Sequence, residues 1–131
     1  MFVDASALTA MLANEEDAGQ FLARLQNARV RITSPLSVWE AVVAVARILS
    51  LAVVDARTIV EDFLAVIEII VVPVPPEARE RAIDAYDRYG KSRHPAALNF
   101  GDCFAYACAS LARVPLLYKG DDFAQTDIET A

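Results

Sequence analysis

Leu98-Asn99-Phe100-Gly101-Asp102-Cys103-Phe104-Ala105-Tyr106-Ala107-Cys108-Ala109 is a nearly apolar stretch with one carboxylate, Asp102, near its start. No further charge follows until Arg113. Such a run reads as a buried helix, because almost nothing on it seeks water. Asn99 suits the N-cap, which sets Asp102 in the first turn, where the amide dipoles favour a negative charge. A carboxylate heading a buried helix is costly unless something pairs with it. What pairs with Asp102 is the question the rest of the chain must answer.

The segments before this helix alternate between strand-like and helical patterns. Met1-Phe2-Val3 is a short apolar run ending at Asp4 and suits a buried first strand. Residues 5–13 read as a helix that Asp4 or Ser6 would cap, and residues 15–27 as an amphipathic helix with Phe21, Leu22 and Leu25 on one stripe. Residues 29–33 alternate as a strand does. Ser34-Pro35 starts a helix over residues 36–49, in which Glu40 is the only acid and Arg47 the only base. Trp39 on this helix reads as core. A helix is expected over 56–66, a β-branched strand over 68–74 with a buried first part, and a charged helix over 76–89. Residues 90–97 read as a loop, 115–118 as a strand, and 125–128 as an added edge strand. Strands separated by helices point to an α/β sandwich with a mostly parallel sheet.

The 131 residues suit one domain. An apolar fraction of 56% and a mean hydropathy of +0.33 imply a thoroughly buried sheet or an apolar surface that a partner covers. The net charge of -6 argues against broad attraction to nucleic acid or anionic lipid. It leaves open a nucleic acid whose phosphates are met through metal ions. Cys103 and Cys108 have no metal or redox spacing and read as small buried hydrophobes in a reducing compartment. No signal peptide or membrane span is legible, and a cytoplasmic location is expected.

Four acids stand where carboxylates are costly. Asp4 ends the first strand, and Asp121 follows the last clear one. In an open parallel sheet, ligands bind beyond the carboxyl ends of the strands, at a topological switch point. Glu40 and Asp102 lie early in apolar helices. Crowded free anions repel and resist desolvation, which raises their pKa values. A divalent cation resolves the conflict, and Mg²⁺ or Mn²⁺ prefers such oxygen ligands. With one histidine in the chain and no nucleophilic triad, metal-assisted hydrolysis is the chemistry best supported. Blander readings stand beside this one: Asp4 and Asp102 as caps, Glu40 bridged to Arg47 or Arg93, Asp121 and Asp122 as turn residues.

Four blocks then resemble the PIN-domain ribonucleases, in particular the VapC-type toxins of toxin–antitoxin pairs. They are Val3-Asp4-Ala5-Ser6-Ala7-Leu8, Ser37-Val38-Trp39-Glu40, Leu98 to Ala107, and Leu117-Tyr118-Lys119-Gly120-Asp121-Asp122-Phe123 with Thr126-Asp127-Ile128. The resemblance spans residues 1–131 as a single PIN domain. It implies a three-layer sandwich, with a central mostly parallel sheet between helices and acids at one end. It implies Asp4, Glu40 and Asp102 as the main ligands of Mg²⁺ or Mn²⁺, Asp121 as the fourth acid, and Ser6 as a supporting hydroxyl. Asn99 and Asp122 would support the site from outside it. Lys119 departs from the Thr or Ser that many members carry two residues before the fourth acid.

The same resemblance implies an endoribonuclease toxin that is neutralised by a VapB-type antitoxin and forms a homodimer and a hetero-oligomer. DNA would be bound only through the antitoxin. Lys91, Arg93 and Lys119 are the candidates for RNA contact, and His94 reads as a surface or helix-entry residue. Two other readings remain: a catalytically inactive PIN-like binding module, and a phospho-acceptor or phosphatase using Asp4.

Overall fold

The computed structural model describes residues 1–131. Four two-residue strands form an all-parallel sheet: β1 (Phe2–Val3), β2 (Ile32–Thr33), β3 (Ile70–Val71) and β4 (Leu116–Leu117), in the order β3-β2-β1-β4. Phe2 pairs with Ile32 on one side and Leu116 on the other. Six helices surround the sheet: α1 (Ala5–Leu12), α2 (Ala18–Asn27), α3 (Pro35–Ile48), α4 (Val53–Val66), α5 (Ala78–Tyr89) and α6 (Phe100–Ala112).

The pleat sorts the core into two. Phe2, Ile32 and Leu116 face α5 and α6, where Ala82, Ala85, Cys103 and Tyr106 pack. Val3 and Leu117 face α1 to α4, where Leu8, Phe21, Val45 and Val60 pack. Successive residues on one strand thus serve opposite layers, as a period of two requires. The helices cover both faces, which is the three-layer arrangement that the sequence implies.

Several segments differ from the sequence reading. Residues 15–17 form a turn, so α2 starts at Ala18, and α4 starts earlier than expected, at Val53. The run over 68–74 gives only β3, and Ile70 is 64% exposed because β3 is a sheet edge. Within the run Ile69 is buried and Val72 and Val74 are half-buried, while Ile70 and Val71 face outward. Residues 125–128 do not form the edge strand. Phe123–Gln125 is a 3-10 turn, and the tail meets β4 at Thr130, opposite Leu116. Trp39 is 67% exposed rather than core, whereas Tyr106 is buried with its hydroxyl donating to Asp127 at 2.6 Å. His94 takes the helix-entry role: its Nδ1 accepts from the Ala96 N–H, and its ring meets Tyr89 edge-on.

Candidate active site

The strand order reverses between β1 and β4, and Asp4 stands at that point. It is the N-cap of α1, with extended backbone, and is 4% exposed. Its N–H donates to the Leu117 carbonyl at 2.9 Å, which ties it to β4. Asp4 Oδ2 accepts from the Ser6 N–H at 2.9 Å and from the Ser6 hydroxyl at 2.5 Å. The Ser6 Oγ in turn accepts from the Lys119 N–H at 3.0 Å. Ser6 thus bridges the Asp4 carboxylate and the backbone after β4. Position 119 contributes to this network through its backbone N–H.

Asp102 is fixed by a reciprocal capping box. Asn99 Oδ1 accepts from the Asp102 N–H at 3.0 Å, and Asp102 Oδ2 accepts from the Asn99 N–H at 2.9 Å. Both residues satisfy donors that the end of α6 would otherwise leave open. Asn99 supports the site through this box. Glu40 projects from α3 against the first turn of α6. A Cβ on Gly101 would lie 2.0 Å from Glu40 Oε1, so only glycine leaves that carboxylate its place.

Asp4, Glu40 and Asp102 line one cleft of about 380 Å³, together with Ser6, Glu15 and Lys119. No lysine or arginine pairs with any of the three acids. The Glu40 bridge to Arg47 or Arg93 therefore does not form, and Arg93 binds Asp87 instead. Burial raises the Glu40 carboxyl to about 7, helped by the charges of Asp4 and Asp102. Burial likewise lifts Asp102 to about 6 against the Asn99 hydrogen bond, with Asp4 and Asp122 adding to the rise. Asp4 is raised by burial, with the Ser6 bonds opposing.

The two acids after Gly120 stand differently toward the cleft. Asp122 is the residue whose charge reaches Asp102. Asp121 lines a separate hollow with Asp17 and Tyr118. Gly120, at a φ of 98°, makes the turn that sets the two apart. Neither residue lines the cleft of Asp4, Glu40 and Asp102.

The candidate RNA-contacting basic residues stand at different distances from the acids. Lys91 and Arg93 do not line the cleft. Lys119 does, but its ammonium is held by Glu15 and lies 3.5 Å from Asp17. Sequence reasoning did not find Glu15, which belongs to a charged turn a hundred residues from its partner.

As placed, no three of the carboxylates close around a single point. A cation here would take one or two carboxylates directly and keep several waters, as Mg²⁺ characteristically does. An all-oxygen donor set with no cation among its acids fits such an ion.

The chain matches the PIN domain family over residues 1–129. It is 40% identical to a VapC ribonuclease of Rhizobium meliloti, covering 97% of this chain and 98% of that one. It is 38% identical to Ribonuclease VapC30 of Mycobacterium tuberculosis, covering 99% and 97%. Its fold is similar to that of the crystal structure of Mycobacterium tuberculosis VapC20, a Sarcin-Ricin loop cleaving toxin, with a TM-score of 0.76 over 99% of this chain and 97% of that one at 18% identity. The chain belongs to the PIN-domain family, among its VapC ribonucleases.

Proposed function

We propose that this protein is a Mg²⁺- or Mn²⁺-dependent endoribonuclease toxin, acting as a single PIN domain over residues 1–131. The observation that carries the reading is the meeting of Asp4, Glu40 and Asp102 in one cleft with no protein cation among them. Asp4, Glu40 and Asp102, with Asp121 or Asp122 as the fourth acid, would hold the ion. When bound, the cation supplies charge neutralisation at the phosphodiester and acidification of water. Asp4 is held by Ser6 so that its carboxylate keeps one orientation. Asp102 is held by the capping box and leaves its second oxygen for the site. Without the cation, burial and the charges of Asp4 and Asp102 hold the Glu40 carboxyl up at about 7, a cost that a bound cation would relieve. The phospho-acceptor reading has less support, because Lys119, the base it needs, is committed to Glu15 and Asp17.

The partners follow from family and surface. Exposed apolar side chains on α3 and α4, among them Trp39, Val43, Val53 and Val54, support a covering partner. We assign that cover to a VapB-type antitoxin and to a second copy of the chain, in a homodimer that the antitoxin extends to a hetero-oligomer. DNA is reached only through the antitoxin. No helix is long and apolar enough to cross a membrane, in keeping with a cytoplasmic place. The test is cleavage of RNA by purified protein with Mg²⁺ or Mn²⁺ and with chelator. Asp4→Asn and Asp102→Asn abolish metal-dependent cleavage on this reading. An Asp102→Asn protein that cuts RNA at the parental rate would overturn it.

A further inference from the structure

We propose that Arg47 grips the RNA backbone beside the acidic centre, holding a phosphate next to the one that is cut. The proposal rests on the endoribonuclease reading above. Arg47 follows Glu40 by seven residues on α3, close to two full turns, so both leave the same face about 10 Å apart along the axis. Both line the cleft, and the side chain between them on that face is the small Ala44. The wall of α3 is therefore low between an acid at one end and a cation at the other.

Arg47 is also the cleft's one cation that the protein has not neutralised. Lys119 is bound to Glu15 and Asp17, whereas Arg47 is exposed and enters no ion pair. No carboxylate lies within ion-pair distance of the guanidinium, so it stands off from the acids. A position apart from the carboxylates suits a neighbouring phosphate rather than the scissile one. Guanidinium presents parallel N–H donors that match a phosphodiester in two-point fashion. In a chain of net charge -6, a polyanion needs a local foothold of this kind at the cleft.

The test is equilibrium binding of a labelled, mixed-sequence single-stranded RNA, followed by fluorescence anisotropy across a sodium chloride series. It uses Asp102→Asn protein, in which RNA persists, with and without Arg47→Ala. The expected result is binding about tenfold weaker at low salt, the loss of one charge-assisted hydrogen-bonded contact. The slope of log affinity against log salt falls in magnitude by about 0.7, one single-strand phosphate contact. Arg47→Lys keeps the slope and loses part of the affinity. Arg79→Ala, on α5 outside the cleft, changes neither.

Equal affinity and slope with and without Arg47→Ala, or an equal loss in Arg79→Ala, overturns the assignment. Unaltered protein that binds RNA but does not cut it with Mg²⁺ or Mn²⁺ overturns the nuclease reading alone, and the slope still decides Arg47. Absence of RNA binding at every salt concentration overturns both.

Discussion

The Glu40 carboxylate occupies the space that any side chain on Gly101 would need. A Cβ there would lie 2.0 Å from Oε1 and 2.6 Å from Cδ. Gly101→Ala therefore moves an acid on a different helix. Displacing a reacting group by about an ångström costs on the order of a hundredfold in rate. We expect a loss of that size in single-turnover cleavage. The melting temperature should change little, because the atoms that must shift are at the far end of the flexible Glu40 side chain. The double variant with Glu40→Gln should lose little more than Glu40→Gln alone. A parental cleavage rate for Gly101→Ala would remove the relationship from the mechanism.

Raised carboxyls set the sign of the pH response. Glu40 sits at about 7 when folded, above its ordinary value, so the folded protein binds the proton more tightly than the unfolded chain. This contribution favours the fold at low pH and is lost as pH rises from the ordinary carboxyl range through about 7. Asp102, at about 6, acts in the same direction. Metal-free protein should melt several degrees lower at pH 8 than the same protein carrying Glu40→Gln, since about 1 kcal/mol shifts a domain of this size by a few degrees. Both groups are partly solvated, which limits the effect. Added Mg²⁺ should restore stability at pH 8 more than at pH 5. Thermal melts at both pH values check this, and a metal effect equal at the two would count against it.

Ser6 joins Asp4 to the end of β4. Ser6→Ala removes both hydroxyl bonds, at 2.5 Å to Asp4 and 3.0 Å to the Lys119 N–H. Loss of a group that orients a metal ligand characteristically costs 10- to 100-fold in metal affinity or activity. Cleavage should fall by about that factor, with its pH profile displaced upward because a bond lowering the Asp4 pKa is gone. Ser6→Thr, which keeps the hydroxyl, should recover part of the loss. An unchanged pH profile in Ser6→Ala would show that Ser6 does not act through Asp4.

The two adjacent acids after Gly120 are separable. Asp122→Asn should lower cleavage by about tenfold, in the range seen for groups acting on a metal site from its edge. Asp121→Asn should stay near the parental rate, because its side chain lines another hollow. The reverse ranking, measured on one RNA with saturating Mn²⁺, would return the fourth position to Asp121.

The sequence made some parts of the molecule legible and hid others for physical reasons. The helices stood out because each has a long apolar stripe or a clear start, as in Ser34-Pro35. The strands were drawn too long because each pairs over only two residues, and β-branched residues run on into edge and loop. Asp4, Glu40 and Asp102 were conspicuous because each interrupts apolar sequence. Asp121 and Asp122 are adjacent in a turn, where no periodic pattern tells which side chain faces the cleft. Trp39 was misplaced because apolar neighbours on every side conceal which face of α3 points outward. The fate of Lys119 depends on Glu15 and Asp17, a pairing that no local pattern announces.

The hydrogen bonds at Asp4 have a consequence for the order of synthesis. Asp4 is translated early, yet its N–H is received by Leu117 and its serine clamp is braced by Lys119. Glu40 and Asp102 both precede those residues on the growing chain. A ribosome making this protein thus holds every main acid before the strand that aligns the first of them has emerged. The cutting edge is the last part to be assembled, and a chain stopped before β4 is left without it.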